Sequence, residues 1–202
     1  MEIKERIGNV KGKAATLAQM AWAAGQSGDP ARSDQLNREA ATALGSVRAY
    51  LDLIAVLDNL GATAQQEREI FAAQAAWLVV KVQAPVDEFL GVLQQLFDLV
   101  AKGDPLETLL GAAAVRIVAA RGGNHPEREK LGERAVELLS IAAGNAGVES
   151  REAFERWVAE NRLGDGGHVF PRLLELLEQL VGDRWLFDRA PLLEGAESAS
   201  GG

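Results

Sequence analysis

Two histidines, His125 and His168, are where acid–base or metal chemistry would have to start in this chain. His125 stands in RGGNHPERE, a glycine-rich turn that leads into a helix, with Arg121 and Arg128 on either side. The first backbone N–H groups of a helix can hold an anion, so Arg121 and His125 are candidate anion-binding residues. The turn lacks the strand and the spacing of a phosphate loop, and an ordinary capped connection is the competing reading. His168, in LGDGGHVFPR, has Asp165 as its only near carboxylate, with no third ligand and no nucleophile beside it. A solvated loop histidine is expected there. Metal sites in helical bundles place Glu three residues before His, and neither histidine has that neighbour. The chain has no cysteine, which removes disulfides, thiolate zinc sites and a cysteine nucleophile. No catalytic residue, metal site or cofactor is assigned, and the chain is expected not to be an enzyme.

Arg116 is the isolated charge within the apolar run Leu109 to Ala120. Arginine is rarely buried unless paired, so a carboxylate from another helix, such as Asp52 or Asp58, is its expected partner. The functional alternative is an anion-binding arginine inside a ligand cavity. The four tryptophans are Trp22, Trp77, Trp157 and Trp185. Trp157 sits on the charged helix REAFERWVAENR. Trp185 and Phe187 belong to RWLFDRAPLL, an apolar segment that must be covered. Aromatic anchors beside charges resemble interface hot spots, so Trp157, Trp185 and Phe187 are candidate protein-interaction residues. The segment can dock on its own chain or on a neighbour.

The elements that position these residues are helices. Asp29-Pro30 and Asp104-Pro105 read as an N-cap followed by proline at the first helical position. Asp104 to Glu107, Thr63 to Gln66 and Asn124 to Glu127 match the capping-box spacing, loosely extended to Asp and Asn. Glycines 61, 103, 122, 123, 147 and 164 mark stops. No stretch alternates like a strand. Helices are predicted near 3–25, 31–59, 64–83, 86–102, 105–121, 126–144, 150–163 and 171–186.

The first helix carries a coiled-coil seam of Ile3, Ile7, Val10, Ala14, Leu17, Ala21 and Ala24. Folded back on the second helix, these residues meet Ile54, Leu51, Val47, Leu44, Ala40 and Leu36 in turn, up to Ala21. A second hairpin turns at KGDP and opposes Phe97 to Gly111, Leu96 to Ala112, Leu93 to Val115 and Phe89 to Ala119. LLGAAAVRIVAAR is apolar almost all round and reads as a central helix. The expected fold is all-α, a multi-helix bundle of seven to eight helices built from antiparallel hairpins. It forms one domain over residues 1–194, with a semi-independent hairpin over 1–60. Residues 195–202, GAESASGG, read as a disordered tail.

The most apolar long stretch, residues 77–100, has Lys81, Pro85, Asp87 and Glu88 near its middle. A charge there would cost about 3 kcal/mol in lipid, so core, not a membrane span, is expected. The formal net charge is −8, and the acid concentrates in residues 61–110 and 148–202. Phosphate recognition needs clustered basic residues, which disfavours a nucleic-acid partner. The charged start MEIKERIGNVKGK lacks a signal peptide's apolar run, and a cytoplasmic location is expected. The expectation that follows is a non-catalytic helical protein-binding or assembly subunit, with a protein partner or a homo-oligomer. The alternative is a regulatory domain that binds a small apolar or anionic ligand in its core near Arg116.

Overall fold

The structure is a computed structural model that describes the backbone of residues 2–199 and the side chains of residues 5–194. Its regular elements among these residues are all helices. They are α1 (Glu2–Gln26), α2 (Pro30–Ser46), α3 (Tyr50–Thr63), α4 (Arg68–Lys81), α5 (Val86–Leu99), α6 (Pro105–Arg121), α7 (Arg128–Asn145), α8 (Arg151–Glu160), α9 (Gly166–Val181) and α10 (Ala190–Ala199). Within the span read as one domain, contacts cluster in two compact units. One holds the chain through Val82 together with the chain from Val181 onward; the other is Gln83–Leu180.

In the first unit α1 packs on α2, α2 on α3, and α3 on α4. Asp29 caps α2 through the Arg32 amide at 3.0 Å, as its place before Pro30 predicts. Ala14 and Ala21 on α1, and Leu36, Ala40 and Leu44 on α2, are buried. The predicted helix 31–59 is two helices. The Ala49 amide donates to Leu44 O at 3.0 Å and the Arg48 amide to Gly45 O at 3.1 Å. This is the Schellman termination, which needs a left-handed residue, and Arg48 takes it with φ 56. The chain turns, Leu51 is exposed rather than set against Ile7, and Lys11 reaches Asp52 at 2.7 Å. The opposition of Ile3 to Ile54 lies outside the described side chains. The central helix of this unit is α4, buried from Ile70 to Val79 with Trp77 wholly enclosed.

The apolar stretch 77–100 breaks at Gln83, which has φ 52, and restarts with Pro85 as the N-cap of α5. Among the described residues no helix is long and apolar enough to cross a membrane.

In the second unit α6 packs on both α5 and α7. Asp104 caps α6 through the Leu106 amide at 2.7 Å. Glu107, 2% exposed, accepts from the Gly103 amide at 2.7 Å and from Asn145 Nδ2 at 2.6 Å. A buried carboxylate beside the N-terminus of α6 is thus held by the helix dipole and two donors. The socket at Gly111 serves a different neighbour from the one expected. A Cβ there would lie 2.9 Å from Leu139 Cα, so the glycine admits the backbone of α7 rather than the ring of Phe97. Helix α9 begins at Gly166, before Pro171, and turns Val169, Leu173 and Leu177 inward at every fourth position.

At the C-terminal end of the first unit, Pro191 opens α10 instead of ending order. Residues 195–199, read as tail, fall within that helix; 200–202 lie outside the described residues.

Candidate functional site

The tight α6–α7 approach at Gly111 has a consequence nearer the turn that joins these helices. There Val115, Val118 and Ala119 of α6 face Gly132, Ala135 and Val136 of α7 across a groove of about 630 Å³. Pro126 lies on its wall, and Arg128 and Glu129 bring one charge of each sign to it. The groove is apolar because small and β-branched residues line it from both sides. Val136 is 56% exposed, and Ile141 on the same helix is exposed as well. No letter pattern pointed to the groove: Val115, Val118 and Ala119 are part of a helix that looks apolar on all sides.

The three residues singled out as anion-binding each bond to backbone. The Arg116 guanidinium donates to Gly164 O, in the connection between α8 and α9. A Cβ at Gly166 would stand 3.1 Å from Arg116 Nε, so a glycine there makes room for the side chain. The carboxylate partner expected from Asp52 or Asp58 is replaced by this carbonyl, and Asp52 pairs with Lys11. Arg121 donates to Gln83 O at 2.8 Å and Ala84 O at 2.7 Å, closing the turn before α5. His125 Nδ1 accepts from the Glu127 amide at 3.2 Å, in the turn that precedes α7. Neither Arg116, Arg121 nor His125 lines the groove; Arg128 does.

Trp157 and His168, far apart in the initial reading, share a second cavity of about 370 Å³ with Thr108, Glu160, Asn161 and Arg172. Trp157 packs against Phe154 with ring centroids 5.8 Å apart. His168 lies in the first turn of α9, not in a loose joint. Asp165 turns to Arg162 at 2.6 Å rather than to His168, and the Gly167 amide adds a bond at 2.9 Å. The Arg162 hydrogen bond, helped by that amide, holds the Asp165 carboxyl below its ordinary value of 3.8. Arg172 is bonded to Glu175 and Asn161 to Trp157 O.

Trp185 and Phe187 lie in the first unit, docked on their own chain. Trp185 meets Trp77 edge-on at 5.4 Å and Phe187 at 5.5 Å, an arrangement that suits the aromatic quadrupoles. Arg189 covers Trp185 at 4.3 Å. The backbone of the segment is clamped by a buried amide: Gln74 Nε2 donates to Arg184 O at 3.0 Å and Oε1 accepts from the Leu186 amide at 2.9 Å. The two anchors therefore fasten the segment intramolecularly.

Among the described residues no cluster of three or more His, Asp or Glu side chains is arranged to hold a metal ion. Comparison of the chain with protein-family models, with curated proteins and with solved structures found no match.

Proposed function

We propose that the chain is a non-catalytic cytoplasmic protein-binding or assembly subunit, a bundle of antiparallel helical hairpins whose α6–α7 groove receives the apolar face of a helix from another protein. The observation that carries this reading is the open groove itself, with Val136 left 56% exposed at its edge. A helix laid in an apolar groove buries residues at i, i+3, i+4 and i+7, a stripe that this trough can accept. Arg128 and Glu129 would fix the direction of the incoming helix, since paired rim charges favour one register over its reverse. Trp22 on α1, 69% exposed, is a separate apolar anchor on the first unit. Photo-crosslinking tests the reading, with a benzophenone amino acid placed at Val136 and, as a control, at the exposed Glu133 of the same helix. The expected result is one discrete adduct from position 136 in the protein's own cells. Equal capture from both positions would remove the groove from the account.

A further inference from the structure

The α2–α3 turn poses a question that its backbone alone does not answer. Four helices end in the same Schellman pattern, and the left-handed residue is Gly28 after α1, Gly147 after α7, but Arg48 after α2 and Arg162 after α8. Glycine takes this conformation without strain; arginine does not. At 162 the side chain has a structural use, the ion pair with Asp165 at 2.6 Å. At 48 the guanidinium has no ion pair among the described residues, yet it lines a cavity of about 400 Å³ within the first unit.

That cavity lies between the α2–α3 turn and the docked C-terminal segment. Leu186, Phe187 and Pro191 give it an apolar wall, and Arg48, Tyr50 and Asp188 line it as well. Tyr50, the only tyrosine in the chain, has its hydroxyl oxygen buried without a hydrogen-bond partner. Buried hydroxyls are rarely left so, because the lost hydration goes uncompensated. Asp188 Oδ1 accepts from the Ala190 amide at 2.9 Å, and no hydrogen bond or ion pair to Oδ2 is present among the described residues. Burial pushes the Tyr50 hydroxyl above its ordinary 10.0, with Arg48 lowering it and Asp188 raising it. Both charges therefore act on one phenol without forming a salt bridge to each other.

We propose that this cavity binds a small zwitterion, an α-amino acid with an apolar side chain. Its carboxylate lies on the Arg48 guanidinium and accepts from the Tyr50 hydroxyl. Its ammonium group donates to Asp188 Oδ2, and its side chain rests on Leu186, Phe187 and Pro191. The volume suits a molecule of this size and falls at the lower end of ordinary ligand pockets. Arginine donates two parallel bonds to a carboxylate, which a lone amine cannot accept.

Calorimetric titration of the full chain with L-leucine, L-methionine and L-phenylalanine tests the site. Two analogues of leucine accompany them: 4-methylpentanoate, without the amine, and 3-methylbutylamine, without the carboxylate. Saturable binding of at least one amino acid is expected, with each analogue of leucine weaker than leucine by about tenfold or more. Arg48→Gly should abolish binding while melting no lower than the parent, because glycine suits the turn. Asp188→Asn, which keeps the acceptor for the Ala190 amide, should weaken binding about tenfold. The proposal is overturned if no amino acid gives a saturable signal at millimolar concentration, or if binding survives in Arg48→Gly. It is equally overturned if 4-methylpentanoate binds as well as leucine.

Discussion

Phe187 rests directly on Gly45: a Cβ at position 45 would stand 2.7 Å from Phe187 Cβ and 3.4 Å from its Cα. The close approach explains why α2 carries a glycine one residue before its end, where propensity alone would favour alanine. Gly45→Ala should therefore be destabilising, by about 1–3 kcal/mol for an overpacked contact. Gly12→Ala on α1, where the new methyl meets nothing within 4 Å, should instead gain up to about 1 kcal/mol. Urea midpoints of the two variants are expected to move in opposite directions; movement in the same direction contradicts the docking of the segment on α2.

The second helix–helix contact built on a glycine behaves alike. At Gly111 the obstruction is backbone, Leu139 N at 3.0 Å and Cα at 2.9 Å, which cannot swing aside as a side chain does. Gly111→Ala should cost about 1–3 kcal/mol, and hydrogen exchange should report faster opening of α7. Gly91→Ala on α5, with open space around it, is the control expected to stabilise.

Arg48→Gly relieves a left-handed arginine, and we expect a gain of about 1 kcal/mol in unfolding free energy. The same change at Arg162 removes its ion pair with Asp165, an exposed contact worth about 0–1 kcal/mol, so its net gain should be smaller. Thermal midpoints rank the two, and a loss of stability at 48 would show that the side chain itself supports the turn.

Burial raises the Asp58 carboxyl above its ordinary 3.8. The penalty for holding it charged is absent below the ordinary range and grows as pH rises through the raised pKa. Asp58→Asn should therefore be stabilising at neutral pH relative to the parent, with the difference shrinking as pH falls toward the carboxyl range. Asp165 works in the other direction: its lowered pKa contributes stability above 3.8 that is lost as pH falls through the folded value. Stability curves of Asp58→Asn and Asp165→Asn against pH should diverge from the parent with opposite signs.

Helix starts were legible at Asp29-Pro30 and Asp104-Pro105, because those side chains bond the first amides regardless of tertiary context, whereas Asn124 does not cap α7, which begins after Glu127 with no side-chain cap. Stops were legible where glycine takes the left-handed turn, as at Gly103 and Gly147. The break at 47–49 was not, since Arg48 fills the glycine's place, and Glu67, Gln83 and Arg162 do so elsewhere. Thr63 resembled an N-cap yet ends α3, its hydroxyl bonded back to Asn59 O at 2.8 Å. Candidate residues fared by distance along the chain. Arg121 reaches carbonyls 37 and 38 residues before it, and the carbonyl that receives Arg116 lies 48 residues away, beyond what local spacing can show. The groove and the Tyr50 cavity arise from residues that look like ordinary core or loop, and only their joint placement makes them sites.

The most direct test of the proposed function is the native mass of the protein isolated from its own cells, beside that of Val136→Asp. A charge on an exposed position of α7 leaves the core untouched, so the helical signal and melting should match the parent. The parent is expected in one discrete species heavier than its own 21.6 kDa, and the variant at 21.6 kDa alone. A parent that runs at 21.6 kDa, or a variant that keeps the heavier species, would contradict the groove as the binding surface.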